Sequence, residues 1–210
     1  MFQASCACHR SLWRTACANR ICKFWEKKVK KVLFVVGSLR KDSFNRQLAQ
    51  EAAAHLAGKA QTAFLDIASV PLVNQDCENP VLPAVAELRR KVTEADALWI
   101  MTPEYNHSYP GLLKNAVDWL SRPSDPSDPE RKTALAGKIV AVSGAAGGSA
   151  ASFVLAKLTE LLMFVRADVV EPQCGVTLDR EAFTTNKLTL KDSENATLQA
   201  EADALLAKLA

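Results

Sequence analysis

Val32-Leu33-Phe34-Val35-Val36 is an unbroken run of aliphatic and aromatic side chains closed by Gly37. Without polar alternation, such a run predicts a strand buried on both faces, the signature of a central parallel strand. Leu48, Ala49, Ala52, Ala53 and Leu56 then recur at helical spacing until Gly58 supplies a stop. The rhythm repeats. Ala63 to Ile67 predicts a second strand, and Val85, Leu88, Val92 and Ala95 one face of a second helix. Ala97 to Met101 predicts a third strand, Leu112 to Leu120 a third helix, and Ile139 to Val142 a fourth strand. Ala151 to Val165 reads as a fourth helix, Asp168 to Val170 as a fifth strand, and Leu198, Ala202, Leu205 and Leu209 as the face of a closing helix.

Strands alternating with helices imply an α/β fold, a doubly wound five-stranded parallel sheet covered on both sides. In such sheets a ligand sits beyond the carboxyl ends of the strands near the topological switch point. The loops Gly37 to Asn45, Thr102 to Pro110 and Ser143 to Ser149 should therefore build the site. The polar stretch Arg122 to Lys132, with three prolines among Ser and Asp, reads as a solvated excursion within the domain. Phe153 to Val165 has few polar side chains, which predicts a helix either deeply buried or packed against a partner.

Composition narrows the class. The chain has 210 residues, 49% hydrophobic and 23% charged, enough for one domain with an appendage. No apolar run approaches the roughly 20 residues a membrane span needs. Net charge is +3, but residues 1–31 carry eight basic side chains against Glu26 and the remainder is −4. An acidic body disfavours nucleic-acid binding. Four of the six cysteines lie in the same basic segment, leaving Cys77 and Cys174 for the body, which reads as a reduced, cytoplasmic protein. Residues 1–29 form a basic, Cys-rich leader ahead of a domain at 30–210. It partly fits an organellar transit peptide, but a start placed upstream of the folded unit is the favoured reading; the Cys6, Cys8, Cys17, Cys22 spacing matches no paired zinc pattern.

The loop after the first strand, Gly37-Ser38-Leu39-Arg40-Lys41-Asp42-Ser43-Phe44-Asn45-Arg46, crowds basic residues around a helix start. The helix dipole already presents partial positive charge there, so the arrangement is costly unless an anion binds. Ser43 is a candidate N-cap. Backbone N–H groups, the hydroxyls of Ser38 and Ser43, the Asn45 amide and the Arg40 guanidinium can surround a phosphate. An ordinary cap with solvated Arg and Lys is the alternative. Neither the dinucleotide G-x-G-x-x-G nor the P-loop pattern follows the strand, so a mononucleotide is the better ligand.

The third loop and helix read Thr102-Pro103-Glu104-Tyr105-Asn106-His107-Ser108-Tyr109-Pro110-Gly111, continuing to Trp119. Together with Gly37-Ser38-Leu39-Arg40, Ser43 and Asn45, this resembles the NADPH-dependent FMN reductase family, flavodoxin-like enzymes that include quinone, chromate and azo-dye reductases. The resemblance implies that Ser38 to Asn45, with Leu39 and Phe44 among them, surround the FMN phosphate. It also implies that Pro103, Glu104, Tyr105 and Asn106 line the isoalloxazine ring, and that Ser143 and Gly144 border the flavin. Ser143 to Ala150 departs from the family pattern, being short and lacking an Arg after its glycine pair. By the same resemblance, hydride passes from NADPH or NADH through FMN to a quinone or similar small acceptor, and the protein forms a homodimer or homotetramer. No nucleophile, metal set or Ser-His-Asp constellation is apparent. The rival reading is a non-enzymatic flavodoxin-like electron carrier; such carriers are strongly acidic, and a body of only −4 favours the enzyme.

Overall fold

The computed structural model describes residues 29–125 and 127–210, so the expectations for the basic leader lie outside the described residues up to Lys28. Strand β1 (Lys31–Val36) is flanked by β2 (Gln61–Leu65) and β3 (Ala97–Thr102), and β4 (Ile139–Ala146) lies beyond β3. All pairings are parallel. The fifth position is divided between β5 (Asp168–Val169), against the start of β4, and β6 (Gly175–Thr177), against its end. The order β2-β1-β3-β4-β5 puts the switch point between β1 and β3, the flavodoxin-like arrangement.

Alternate residues of the buried strands feed two separate cores. Leu33, Val35, Leu98, Ile100, Val140 and Val142 pack toward α2 (Pro83–Glu94), α3 (Gly111–Leu120) and α4 (Ser152–Phe164). Val32, Phe34, Val36, Trp99, Met101 and Ala141 face α1 (Phe44–His55) and α6 (Asp192–Leu209). Burying both faces is what removed polar alternation from β1 and β3. No helix among the described residues is long and apolar enough to cross a membrane.

Three differences from the pattern have physical causes. Strand β2 begins at Gln61, two residues ahead of the apolar signal, because Gln61 pairs with Lys31 at a half-exposed edge where burial does not select side chains. Strand β4 continues four residues past Val142. Ser143-Gly144 looks like a turn, yet β3 on one side and β6 on the other hold it extended. The break between β5 and β6 is filled by a side chain. The Glu201 carboxylate, fully buried on α6, accepts from Val142 N–H (2.9 Å), Cys174 N–H (2.9 Å) and Ser143 Oγ (2.7 Å), taking the place of absent ladder partners. Burial pushes its pKa up to about 8 against the pull of those donors. The short helix α5 (Arg180–Thr185), capped by Asp179, had no periodic signal at all.

Candidate functional site

A cavity of about 300 Å³ opens at the carboxyl ends of β1, β3 and β4, between the start of α1 and the loop after β3. Ser38, Arg40, Ser43, Phe44, Asn45, Pro103, Glu104 and Tyr105 all line it, so two motifs far apart in sequence meet in one place. Leu39 is exposed and turns to a neighbouring groove, and Asn106 stays exposed outside the lining.

On the α1 side, Ser43 is the N-cap, its buried Oγ accepting from Arg46 N–H at 3.3 Å. The N–H groups of Phe44 and Asn45, in the first turn, have no intrahelical acceptor and stand at the cavity. Ser38 Oγ accepts from Arg40 N–H at 3.3 Å. The Arg40 guanidinium lies 4.5 Å from the Phe44 ring centroid, donates to Asn186 Oδ1 at 2.8 Å and also donates to the Asp42 carbonyl. It is thus held over the helix start rather than loose in solvent. Asn45 has a different use from the one expected. Its amide is buried and doubly bonded to Ala145, accepting from N–H at 2.9 Å and donating to C=O at 3.2 Å, so its backbone N–H is what remains for an anion.

On the other side, Tyr105 and Ser108 exchange both backbone hydrogen bonds (2.9 and 3.0 Å) around Asn106 and His107, which have φ of 52° and 56°. This is a two-residue turn of the type with both central residues left-handed, a conformation Asn tolerates well. The turn consumes the Tyr105 N–H and leaves those of Glu104 and Asn106 without a backbone acceptor. The Glu104 carboxylate points away from the cavity floor to the next loop. It accepts from Ser149 Oγ at 2.6 Å and Val154 N–H at 3.0 Å, capping α4 in place of Ala151, which has no side-chain acceptor. Burial opposes its charge, but the Ser149 and Val154 donors and nearby His107 hold the carboxyl below its ordinary range. The His107 ring stacks on Phe153 at 4.1 Å.

Ser143 and Gly144, expected to border the ligand, are not among the residues that line this cavity. Ser143 is fully buried, its Oγ accepting from Trp99 Nε1 at 2.8 Å while donating to Glu201. Gly144 lies so close to β3 that a Cβ would sit 2.7 Å from the Thr102 carbonyl oxygen and 2.8 Å from Ala151 Cβ. Because β4 runs on, Ala145, Ala146 and Gly147 occupy the wall instead. Leu178 and Phe183 complete it, Phe183 meeting Phe44 edge-on at 5.6 Å. Sequence reasoning missed these and Asn186. The only local signal was the Asp179 N-cap and the apolar Ala182-Phe183 pair after it.

The cavity suits a flavin mononucleotide in its donor set: a cationic helix end at one extremity, backbone donors and Pro103 along the wall, an aromatic rim. An α/β sheet of this order with an anion-ready helix end at its switch point defines the flavodoxin-like class. The chain belongs to the NADPH-dependent FMN reductase family, which it matches over residues 30–180, and so to the flavin-dependent oxidoreductases. It is 35% identical over 181 residues to an NAD(P)H-dependent FMN reductase of Pseudomonas aeruginosa, covering 83% of this chain and 92% of that one. A 2-hydroxy-1,4-benzoquinone reductase of Burkholderia is 46% identical over 93 residues, 44% of this chain and about half (51%) of that relative's length. Among solved structures, a flavoenzyme NAD(P)H:(acceptor) oxidoreductase of Paracoccus denitrificans superposes with a TM-score of 0.74 at 31% identity, over 85% of this chain and 96% of that one.

Proposed function

We propose that the protein is an NAD(P)H:quinone oxidoreductase that works through FMN bound in the cavity between α1 and the Pro103–Asn106 loop. The observation that carries this reading is the meeting there of Arg40 and the uncapped Phe44 and Asn45 N–H groups with the turn built on Tyr105 and Ser108. When bound, FMN supplies two-electron redox chemistry between a reduced nicotinamide and the acceptor.

Each side chain has a physical task. Arg40, Ser38 and the first turn of α1 bind the phosphate, where the helix dipole and guanidinium add. Pro103 and the N–H groups of Glu104 and Asn106 position the ring edge and offer donors to negative charge on the reduced state. Glu104, ionised and pinned to Ser149 and Val154, keeps the two walls at fixed separation. Tyr105, 53% exposed, stands at the rim and leaves one ring face open to small acceptors. Quinones are the proposed acceptors, supported by relatives with that activity, a Quinone reductase of Escherichia coli at 35% identity among them.

The working unit is a homodimer or a dimer of dimers. Support comes from α4, where Phe153, Met163 and Phe164 are 48%, 63% and 83% exposed on a helix whose other face is core. The free thiols of Cys77 and Cys174 support a reducing compartment, the cytoplasm.

The test is the visible spectrum of purified protein, with mass spectrometry of the released ligand, followed by NADPH oxidation with a quinone present. A yellow protein releasing FMN and turning over with quinone is expected. Failure to take up FMN on reconstitution sinks the flavin assignment; a yellow protein that turns over only through a redox protein points to the electron-carrier reading instead.

A further inference from the structure

Beside the flavin cavity, on the β2 side of the loop after β1, lies a second groove of about 350 Å³. Ser38 and Arg40 line both, so they form the wall between them. Lys41 and Arg46 line the second groove alone, with Phe64 and Asp66.

Two features make this groove more than a solvated basic edge. First, among the described residues neither Lys41 nor Arg46 has a carboxylate within salt-bridge distance, although the body as a whole is acidic. Asp66, the nearest acid in the lining, has its Oδ1 engaged by Ala68 N–H at 2.8 Å. Second, the cations stand beside a stacking platform. Phe64 is 41% exposed, packs on the buried Phe34 ring at 5.6 Å, and carries the Arg46 guanidinium 5.1 Å from its centroid. A guanidinium laid on an aromatic ring presents its other planar face to a further π-system. Phosphate-pairing cations next to a stack that a purine can extend are the recognition chemistry of a phosphorylated purine nucleoside.

We infer that this groove is the seat of the adenosine 2′-phosphate of NADPH, with Lys41 and Arg46 pairing the phosphate and Arg46 on Phe64 supporting the adenine. The inference rests on the flavin reading of the adjoining cavity: a dinucleotide whose nicotinamide lies over that cavity crosses the Ser38–Arg40 wall into this groove. NADH has only a hydroxyl at the 2′ position and leaves both cations unpaired. Lys41 and Arg46 are therefore specificity-determining residues that favour NADPH and have no part in holding FMN.

The test is calorimetry on FMN-loaded protein with 2′,5′-ADP and with 5′-AMP, in the wild type and in Lys41→Glu and Arg46→Glu. Wild type should bind 2′,5′-ADP at least ~10-fold more tightly than 5′-AMP, the scale expected of charge-assisted phosphate pairing. Either charge reversal should erase that preference and raise the KM for NADPH by a similar factor; Lys41→Glu should leave the KM for NADH within about twofold, whereas Arg46→Glu, which also removes the adenine stack, should raise the KM for NADH as well, but by less than that for NADPH. Retained flavin fluorescence quenching on FMN titration shows that the flavin site is intact in the variants. Equal binding of the two nucleotides by wild type, or a preference that survives both reversals, overturns the assignment. Wild-type protein that does not bind FMN brings down the flavin reading instead, and 2′,5′-ADP titration of that protein still reports on the groove.

Discussion

Arg40 shows how one side chain joins several parts of the site. It spans from the phosphate loop to Asn186 beyond α5, with the Phe44 ring beneath it, so it is oriented before an anion arrives. Pre-orientation lowers the entropic cost of binding. Replacing Arg40 by Ala should weaken FMN retention roughly tenfold or more, the scale of a lost charge-assisted hydrogen bond, measured by fluorescence quenching on FMN titration; unchanged affinity would remove Arg40 from the phosphate site. The buried acid Glu201 makes a different prediction. Its folded pKa, about 8, lies above its ordinary value, so its contribution is complete below about pH 4.5 and is lost as pH rises through 8. Thermal midpoints should fall across that window, and Glu201→Gln should flatten the fall while lowering stability overall, because an amide cannot accept from both Val142 and Cys174 N–H groups without presenting them a donor. Midpoints independent of pH in the wild type would contradict the raised pKa. At this scale the sequence was informative about residue type and less so about use. Asn45 at a helix start can serve a ligand or a neighbouring strand, and only the position of Ala145 decides that its amide serves the strand.

Among elements, the site depends most on the tight passage from β4 to α4. Ala150 and Ala151 adopt φ of 48° and 61°, a region that costs non-glycine residues energy and persists only when surroundings impose it. Glu104 imposes it from one side through Ser149 and Val154. Gly175 permits it from the other, since a Cβ there would collide with the Ala150 carbonyl oxygen. Gly175→Ala should therefore cost about 1–3 kcal/mol, in line with overpacking elsewhere, and weaken FMN binding as well, because the displaced segment adjoins Gly147 in the cavity wall. Thermal denaturation with and without FMN checks both effects; an undisturbed variant would show that the passage has slack. The periodic elements here were legible, from β1 through α6. The extension of β4 was not, because Ser-Gly is a turn signal locally and becomes strand only where two neighbours supply hydrogen bonds.

For the molecule as a whole, the exposed apolar end of α4 is the feature that the monomer leaves unexplained. Met163 and Phe164 stand at the far end of α4 from Phe153, roughly 15 Å along the helix axis; the Phe153 ring stacks on His107 of the cavity loop, so a partner covering the whole length of α4 would reach the cavity loop. Phe164→Asp should shift the protein toward monomer in light scattering while circular dichroism stays native, since Phe164 is 83% exposed and contributes little to the core. A wild-type monomer at micromolar concentration would exclude the dimer.

The one-dimensional pattern determined the alternation of strand and helix, the central place of β1 and β3, and the two loops that meet at the site, because burial on both faces and helix-start chemistry are written in adjacent residues. The tertiary structure alone decided which residues of β4 stand at the cavity wall, what Asn45, Ser143 and Glu104 bond to, that Leu178 and Phe183 line the cavity, and that Asn186 braces Arg40. These depend on contacts between segments distant in the chain, and a residue's local neighbours hold no information about which distant hydrogen-bonding group or ring will stand opposite it.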